Sequence, residues 1–287
     1  MYAMGQPEID ALSRVIRSGQ LFRYRGGEGG WCDQFEAALA RKIGVQHALL
    51  TTSGTAALIC ALAGIGVEPG DEVIVPAYTF MASALACLAA GAIPIIAEID
   101  ETLMLDPRDA ERKLSRYTRA IMPVHMVGRV CNMAAFLKLG RRHQVDIVED
   151  ACQAVGGAYR GRRLCSLGRV GAFSFNFFKN ITCGEGGAVM TSDERVYQRG
   201  LIYHDGGCAF RAHAGGLQVP FFAGSNFRAS ELMGAVMFVQ LRRLDGILRR
   251  LRARQAAMLA ELRKSRRFRI APSNEVKGDC EIGRAHV

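Results

Sequence analysis

Two apolar runs in this chain each end in side chains equipped for chemistry. Val145 to Val148 leads into Glu149 and Asp150, and Gly171 to Phe177 leads, through Phe178, to Lys179. The first run reads as a short buried strand, which sets both acids at its carboxyl end, where open α/β sheets form their ligand crevices. The second alternates apolar and polar residues as a strand does. Lys179 is one of six lysines beside 31 arginines, and Phe177, Phe178 and Ile181 give it the most apolar flanks of the six. Desolvation lowers the pKa of a lysine and makes its amine a nucleophile able to form a Schiff base near neutral pH. Taken alone, the same setting also suits a lysine that snorkels out of an apolar strand end.

The residues around Lys179 favour chemistry. Asp150, Gln153, Ser174, Lys179 and the glycine turn Gly184 to Gly187 are the parts that a pyridoxal phosphate site requires. A carboxylate must keep the pyridine nitrogen protonated, and a lysine must carry the aldehyde. Glu149 to Gln153 and Phe173 to Gly187 resemble, in order and separation, the E-D-A-x-Q and F-S-F-x-x-x-K-x-x-x-x-G-E-G-G patterns of one family. It is the DegT/StrS-type (DegT/DnrJ) sugar aminotransferases, fold type I pyridoxal phosphate enzymes.

Further segments carry the resemblance, which spans about residues 5 to 262. Ser53-Gly54-Thr55 joins an apolar strand to a helix, which puts unpaired backbone N–H groups beside two hydroxyls. On its own this is either an anion site or an ordinary N-cap. Ser53 to Leu58 match the family's phosphate-gripping S-G-T-A-A-L, which implies that Gly54 and Thr55 hold the cofactor phosphate. Gly224 to Glu231 resemble the family's G-x-N-x-R-x-x-E, where the asparagine, here Asn226, reaches the phosphate of a neighbouring subunit. An aromatic at the Phe80 position stacks on the pyridine ring in that family, although Phe80 also fits a core role. The chain departs from the family at Val155, where many members have histidine, and this bears on substrate contacts more than on the cofactor set.

The resemblance implies an aminotransferase that moves an amino group from glutamate or glutamine to a keto sugar, nucleotide-linked in the family's usual manner, in amino-sugar, polysaccharide or secondary-metabolite biosynthesis. Lys179 and Asp150 are the implied catalytic residues, and Gly54, Thr55, Phe80, Gln153, Ser174 and Asn226 complete the implied cofactor set. A homodimer in the cytoplasm is expected. A keto-cyclitol aminotransferase, a related sugar dehydratase and a non-catalytic regulatory homologue are the alternatives. Lys179 speaks against the dehydratase, which replaces the lysine with histidine.

The elements that must position these residues follow from periodicity. Helical spacing marks Ile9 to Ile16, Trp31 to Ile43 with Gly44 as its C-cap, Ala56 to Ala63, Ala82 to Ala90, Asn132 to His143 and Asp193 to Tyr203. Strand signals mark 48–52, 72–76, 93–99, 120–124 and 188–191 besides the two runs above. Strand and helix alternate over roughly 200 residues, which argues an α/β fold with a mainly parallel sheet sandwiched by helices. The glycine-rich connector Gly19 to Gly30 carries no legible role. His125, a lone histidine at a strand end, reads as hydrogen-bonded structure.

Composition narrows the classes. The longest apolar stretch, Ala84 to Ala97, is broken by Gly91 and Pro94, so no membrane span is expected. Nine cysteines without a C-x-x-C pair suit a reduced compartment and give no metal site. The net charge of +10 is local: 11 basic and two acidic residues lie between Leu241 and Arg269, as on a solvated helix face, and no nucleic-acid partner is expected.

The chain is expected to divide into a large cofactor-binding domain, residues 1–240, and the start of a truncated C-terminal small domain, residues 241–287. Leu241, Leu244, Leu248 and Leu251 open that second unit, whereas Ala271 to Cys280 has no apolar period with which to build a layer. Residues after about Arg269 are expected to be unpacked and the chain to be poorly soluble or inactive. Glu281 to Val287 resembles a translated sequencing adapter.

Overall fold

The chain folds into three layers, with a seven-stranded sheet between two sets of helices. The computed structural model describes residues 4–24, 29–207, 215–265, 267 and 269–280. In chain order the elements are α1 (Gln6–Ser18), α2 (Trp31–Ile43), β1 (His47–Thr51), α3 (Gly54–Gly64), β2 (Glu72–Pro76), α4 (Ala82–Ala89), β3 (Ile93–Ala97), α5 (Pro107–Arg112), β4 (Thr118–Ile121), α6 (Met133–His143), β5 (Asp146–Asp150), a small hairpin of β6 (Ala158–Tyr159) and β7 (Arg162–Arg163), β8 (Val170–Ser174), β9 (Gly187–Thr191), α7 (Glu194–His204) and α8 (Glu231–Leu262).

The strand order is β1-β9-β8-β5-β4-β2-β3. The pairs from β8 to β3 are parallel, while β9 runs antiparallel to both β1 and β8. Both faces of the sheet are covered, as its unbroken apolar strands require. Alternation along each strand divides the side chains between two cores. Leu50, Ile74, Ile147 and Phe173 pack with α2, α6 and α8, whereas Leu49, Val73, Val148 and Ala172 pack with α3, α4 and α7. On β5 this parity sends Glu149 to the face of Ile147 and Asp150 to the face of Val148.

Helix ends follow local chemistry. Ser53, Asn132 and Asp193 each cap the helix that follows, accepting the N–H groups of Ala56, Ala135 and Val196. Gly44 closes α2 in the left-handed region at φ 85°, with its N–H on the Ala40 carbonyl, as expected for that position. The connector after α1 is tied down by Arg23, whose buried guanidinium pairs with Glu36 at 2.5 Å and donates to the Leu50 carbonyl at 3.0 Å. No local sequence pattern announces this role.

Two of the differences in strand bounds from the sequence expectation bear on the site. β5 extends through both acids, because Glu149 and Asp150 pair with Gly171 and Ala172 of β8. β4 stops at Ile121, and Pro123 interrupts the run before Val124 makes an isolated bridge to Asp150. At the far edge, β3 has only β2 beside it; the Ile93 N–H donates to the Asp71 carbonyl, and the Ala97 carbonyl accepts from the Ala77 N–H, both at 2.8 Å.

α8 is one continuous helix. Its first half, through Leu241, Leu244 and Leu248, belongs to the main core, and no residue beyond Leu248 in this helix is buried. The expectation that residues past Arg269 stay unpacked is overturned. Asp279 and Cys280 are buried. The Asp279 carboxylate accepts the Val130 N–H at 3.0 Å and the Ser273 hydroxyl at 2.6 Å, and the Cys280 N–H donates to the Gly128 carbonyl at 2.8 Å. Arg129 donates to the Ala271 carbonyl and Arg252 to that of Asp279. Polar contacts to main chain hold this segment, so it needs no apolar period. Residues 281–287, read above as adapter-like, lie outside the described residues. Among the described residues no helix is long and apolar enough to cross a membrane, and no group of three or more potential metal ligands occurs.

Candidate active site

The carboxyl ends of β5 and β8 and the N-termini of α3 and α4 surround a cavity of about 320 Å³. Gly54, Thr55, Phe80, Asp150, Gln153, Ser174 and Lys179 all line it, although they come from five separate parts of the chain. Asn226 does not. It is exposed, its backbone bridges to Asp205, and its carboxamide oxygen accepts the Arg228 N–H at 3.4 Å.

Asp150 is 3% exposed, and each of its oxygens accepts one hydrogen bond. The Ser83 hydroxyl donates to Oδ2 at 2.7 Å, and the Cys152 N–H donates to Oδ1 at 3.1 Å. Lys179 follows a turn closed by its own N–H on the Asn176 carbonyl at 2.9 Å. Burial lowers its amine from the usual lysine range, against the pull of Cys152, Asp150 and Glu185. Burial is thus the cause of the lowering, while the flanking Phe177 and Phe178 are themselves 49% and 45% exposed. Burial also pushes the neighbouring Cys152 thiol well up, with Asp150 adding to the shift, so that thiol stays protonated near neutrality.

Glycine is required where α3 meets the sheet. A Cβ on Gly54 would come within 2.7 Å of the Ser174 Cβ, and one on Gly187 within 2.2 Å of the Ser53 carbonyl oxygen. The close approach of β8 and the glycine turn to the start of α3 explains both positions. Together they bring the Ser174 side chain beside the N-terminal N–H groups of a helix whose residues are almost all buried. Such a terminus favours an anionic group. Gln153, 4% exposed, is oriented by the Val127 N–H, which donates to its Oε1 at 3.1 Å.

Glu149 has a different role from its neighbour. It is fully buried, and its carboxylate accepts the N–H groups of Cys165, Leu167 and Gly168 at 2.9, 2.7 and 2.7 Å. His125 completes that cluster: its Nδ1 accepts the Cys131 N–H at 3.1 Å, and its Nε2 lies 3.6 Å from Glu149 Oε2. Of the acid pair only Asp150 borders the cavity, and neither Glu149 nor His125 lines it. Val155, the departure from the family pattern, is 1% exposed within the core, where its carbonyl accepts the Asn180 amide at 3.0 Å.

Sequence reasoning did not single out Thr79, Ser83, Cys152, Asn176 or Glu185, which also border the cavity. Of these only Thr79 carried a usable signal, being a hydroxyl beside Phe80 just past the end of a strand.

Residues 3–281 match the model of the DegT/DnrJ/EryC1/StrS aminotransferase family. The chain is 38% identical over 218 residues to GDP-perosamine synthase of Caulobacter vibrioides, covering 76% of this chain and 58% of that enzyme. It is 39% identical over 254 residues to dTDP-3-amino-3,4,6-trideoxy-alpha-D-glucose transaminase of Streptomyces venezuelae, covering 88% and 63% respectively. The chain therefore spans less than two thirds of the length of these two relatives. Among solved structures, NtdA of Bacillus subtilis with bound cofactor PMP superimposes with a TM-score of 0.82 at 28% identity, covering 96% of this chain and 61% of NtdA.

Proposed function

The chain belongs to the DegT/DnrJ/EryC1/StrS aminotransferase family, and from that premise we propose that it is a pyridoxal phosphate-dependent aminotransferase acting on a nucleotide-linked keto sugar, with glutamate or glutamine as amino donor. The observation that carries this reading is the meeting, in one cavity, of a doubly hydrogen-bonded Asp150 carboxylate, a lysine amine depressed by burial and the N-terminus of α3. The residues fit the cofactor: the helix terminus with Gly54, Thr55 and Ser174 suits its phosphate, Phe80 offers a ring face, and Asp150 offers the carboxylate that a pyridinium requires.

Bound there, pyridoxal phosphate supplies an aromatic electron sink for negative charge at the amine-bearing carbon of the substrate. Lys179 is the residue for covalent attachment, and its released amine takes and returns the proton at that carbon. Its lowered pKa leaves a larger neutral fraction for both tasks near neutrality. Asp150 holds a proton at the ring nitrogen by charge and hydrogen bonding. Leu58 and Val124, both buried, give the cavity an apolar part of its wall.

The relatives named above act on GDP- and dTDP-sugars by name, which supports a nucleotide-linked substrate for this chain. A homodimer belongs to the proposal, because Asn226 is exposed outside the cavity and so suits a phosphate in a second copy. So does a division near residue 240, with a smaller C-terminal unit following the large one. A cytoplasmic setting is supported by the cysteines, all unbridged among the described residues.

The experiment is direct. Pyridoxal phosphate added to the purified protein should give the visible absorption of a lysine-bound cofactor, and borohydride should fix its mass to the peptide containing Lys179. A protein that develops no such band, or fixes the label on another lysine, refutes the proposal.

A further inference from the structure

Ser83 stands at the second position of α4, 1% exposed, among alanines. Its hydroxyl lies 2.7 Å from Asp150 Oδ2 and 2.8 Å from the Thr79 hydroxyl. A hydroxyl has one proton to give, and an ionised carboxylate only accepts. Ser83 spends its proton on Asp150, so Thr79 is the donor in the 2.8 Å contact, which is shorter than the competing 3.3 Å contact from the Thr79 hydroxyl to the Phe80 carbonyl. The chain of donors therefore runs from Thr79 through Ser83 to Asp150.

The two donors on Asp150 belong to different elements. The Cys152 N–H is main chain just after β5, and the Ser83 hydroxyl is carried by α4. With each oxygen pinned from a separate direction, the carboxylate plane cannot turn without breaking a hydrogen bond. Without the Ser83 hydroxyl one pin remains, and Oδ2 becomes a buried acceptor short of a donor. Phe80 precedes α4 by two residues, so one turn of chain delivers both the exposed ring and the pin.

We propose that Ser83, backed by Thr79, is the positioning residue that fixes the Asp150 carboxylate toward the cofactor ring; the assignment rests on the pyridoxal phosphate reading above. It makes Ser83 and Thr79 part of the site although neither needs to touch substrate.

The test uses the cofactor-loaded protein with pyridoxal phosphate labelled with ¹⁵N at the ring nitrogen. The ¹⁵N shift is followed against pH in the parent and in Ser83→Ala, Ser83→Thr and Thr79→Val, alongside the single-turnover rate with the amino donor. In Ser83→Ala the ring nitrogen should lose its proton at lower pH than in the parent. Its single-turnover rate should fall roughly 10- to 100-fold, the loss expected for a hydrogen bond to a charged group, with donor KM within about twofold. Ser83→Thr, which keeps the hydroxyl, should stay within about threefold of the parent in rate, and Thr79→Val should move both readouts the same way by less. Should Ser83→Ala not fold, Ser83→Cys with its weaker donor replaces it, with an intermediate shift expected. A parental ¹⁵N titration in Ser83→Ala, or in Ser83→Cys where that is the variant read, overturns the assignment, as does a threonine variant as impaired as alanine. A parent that takes up no cofactor refutes the proposed function and this assignment together. A loaded parent with an unresponsive Ser83 refutes this assignment alone.

Discussion

Glu149 and Asp150 are consecutive acids on one strand, yet they serve opposite sides of the sheet. Glu149 enters the core built on α2, α6 and α8, where three backbone N–H groups of the 165–168 loop saturate it. Asp150 enters the cavity side, held by two donors and still bordering open space. The period of two along a strand is enough to make one acid a structural tie and to bring its neighbour to the cavity. What distinguishes them is therefore unused acceptor capacity facing a cavity, since both carboxylates are almost wholly buried.

The comparison can be broken most forcefully from the cavity side. Lys179→Ala should abolish the lysine-bound cofactor band and lower transamination by on the order of a thousand-fold or more, while the fold survives. Circular dichroism with borohydride labelling checks both halves, and a label still fixed to the variant would remove Lys179 from its role. Next, Asp150→Asn should slow the half-reaction by about a hundred-fold but leave cofactor affinity within a few-fold, because the phosphate and lysine contacts remain. Half-reaction rates close to the parent would put Asp150 in the same class as Glu149.

On the other face, Glu149→Gln should lower unfolding stability by about 2 kcal/mol, since an amide NH₂ would confront backbone N–H donors, with the cofactor spectrum unchanged. A spectral change as large as that of Asp150→Asn would collapse the distinction. The smallest effect concerns Lys179 before cofactor is added. Its pKa is lowered by burial, so reductive methylation across a pH series should modify it at lower pH than a free lysine amine in solution. Reaction in step with the free amine would show that the cavity does not desolvate Lys179.

Much of this site was legible because its residues sit in periodic or motif-bearing segments. Lys179 and Asp150 end apolar runs, Ser53-Gly54-Thr55 joins a strand to a helix, and the alternation of strands and helices gave the sheet. Ser83 was not legible, because a serine within Ala82 to Ala90 looks like filler in a small-residue helix until a carboxylate is found 2.7 Å away. Arg23 was hidden for a similar reason: its partner Glu36 lies on another element, and nothing local announces the pair. The last ten described residues misled for the opposite cause. Ala271 to Cys280 has no apolar rhythm, and the hydrogen bonds that anchor it to 128–130 and to Ala158 leave no trace in composition.

The edge strand β3 combines an apolar border with a main chain that offers little to a foreign strand. Ile93 and Ile96 are 51% and 50% exposed, an apolar border of the kind that recruits foreign strands. In a parallel ladder, alternate residues aim their main-chain groups at the one neighbour. Because Ile93 and Ala97 bond toward β2, Pro94 and Ile96 present theirs to the open side. Proline has no N–H to offer. An incoming strand would thus find a single donor, that of Ile96, along the five residues of β3, too few for a ladder to take hold.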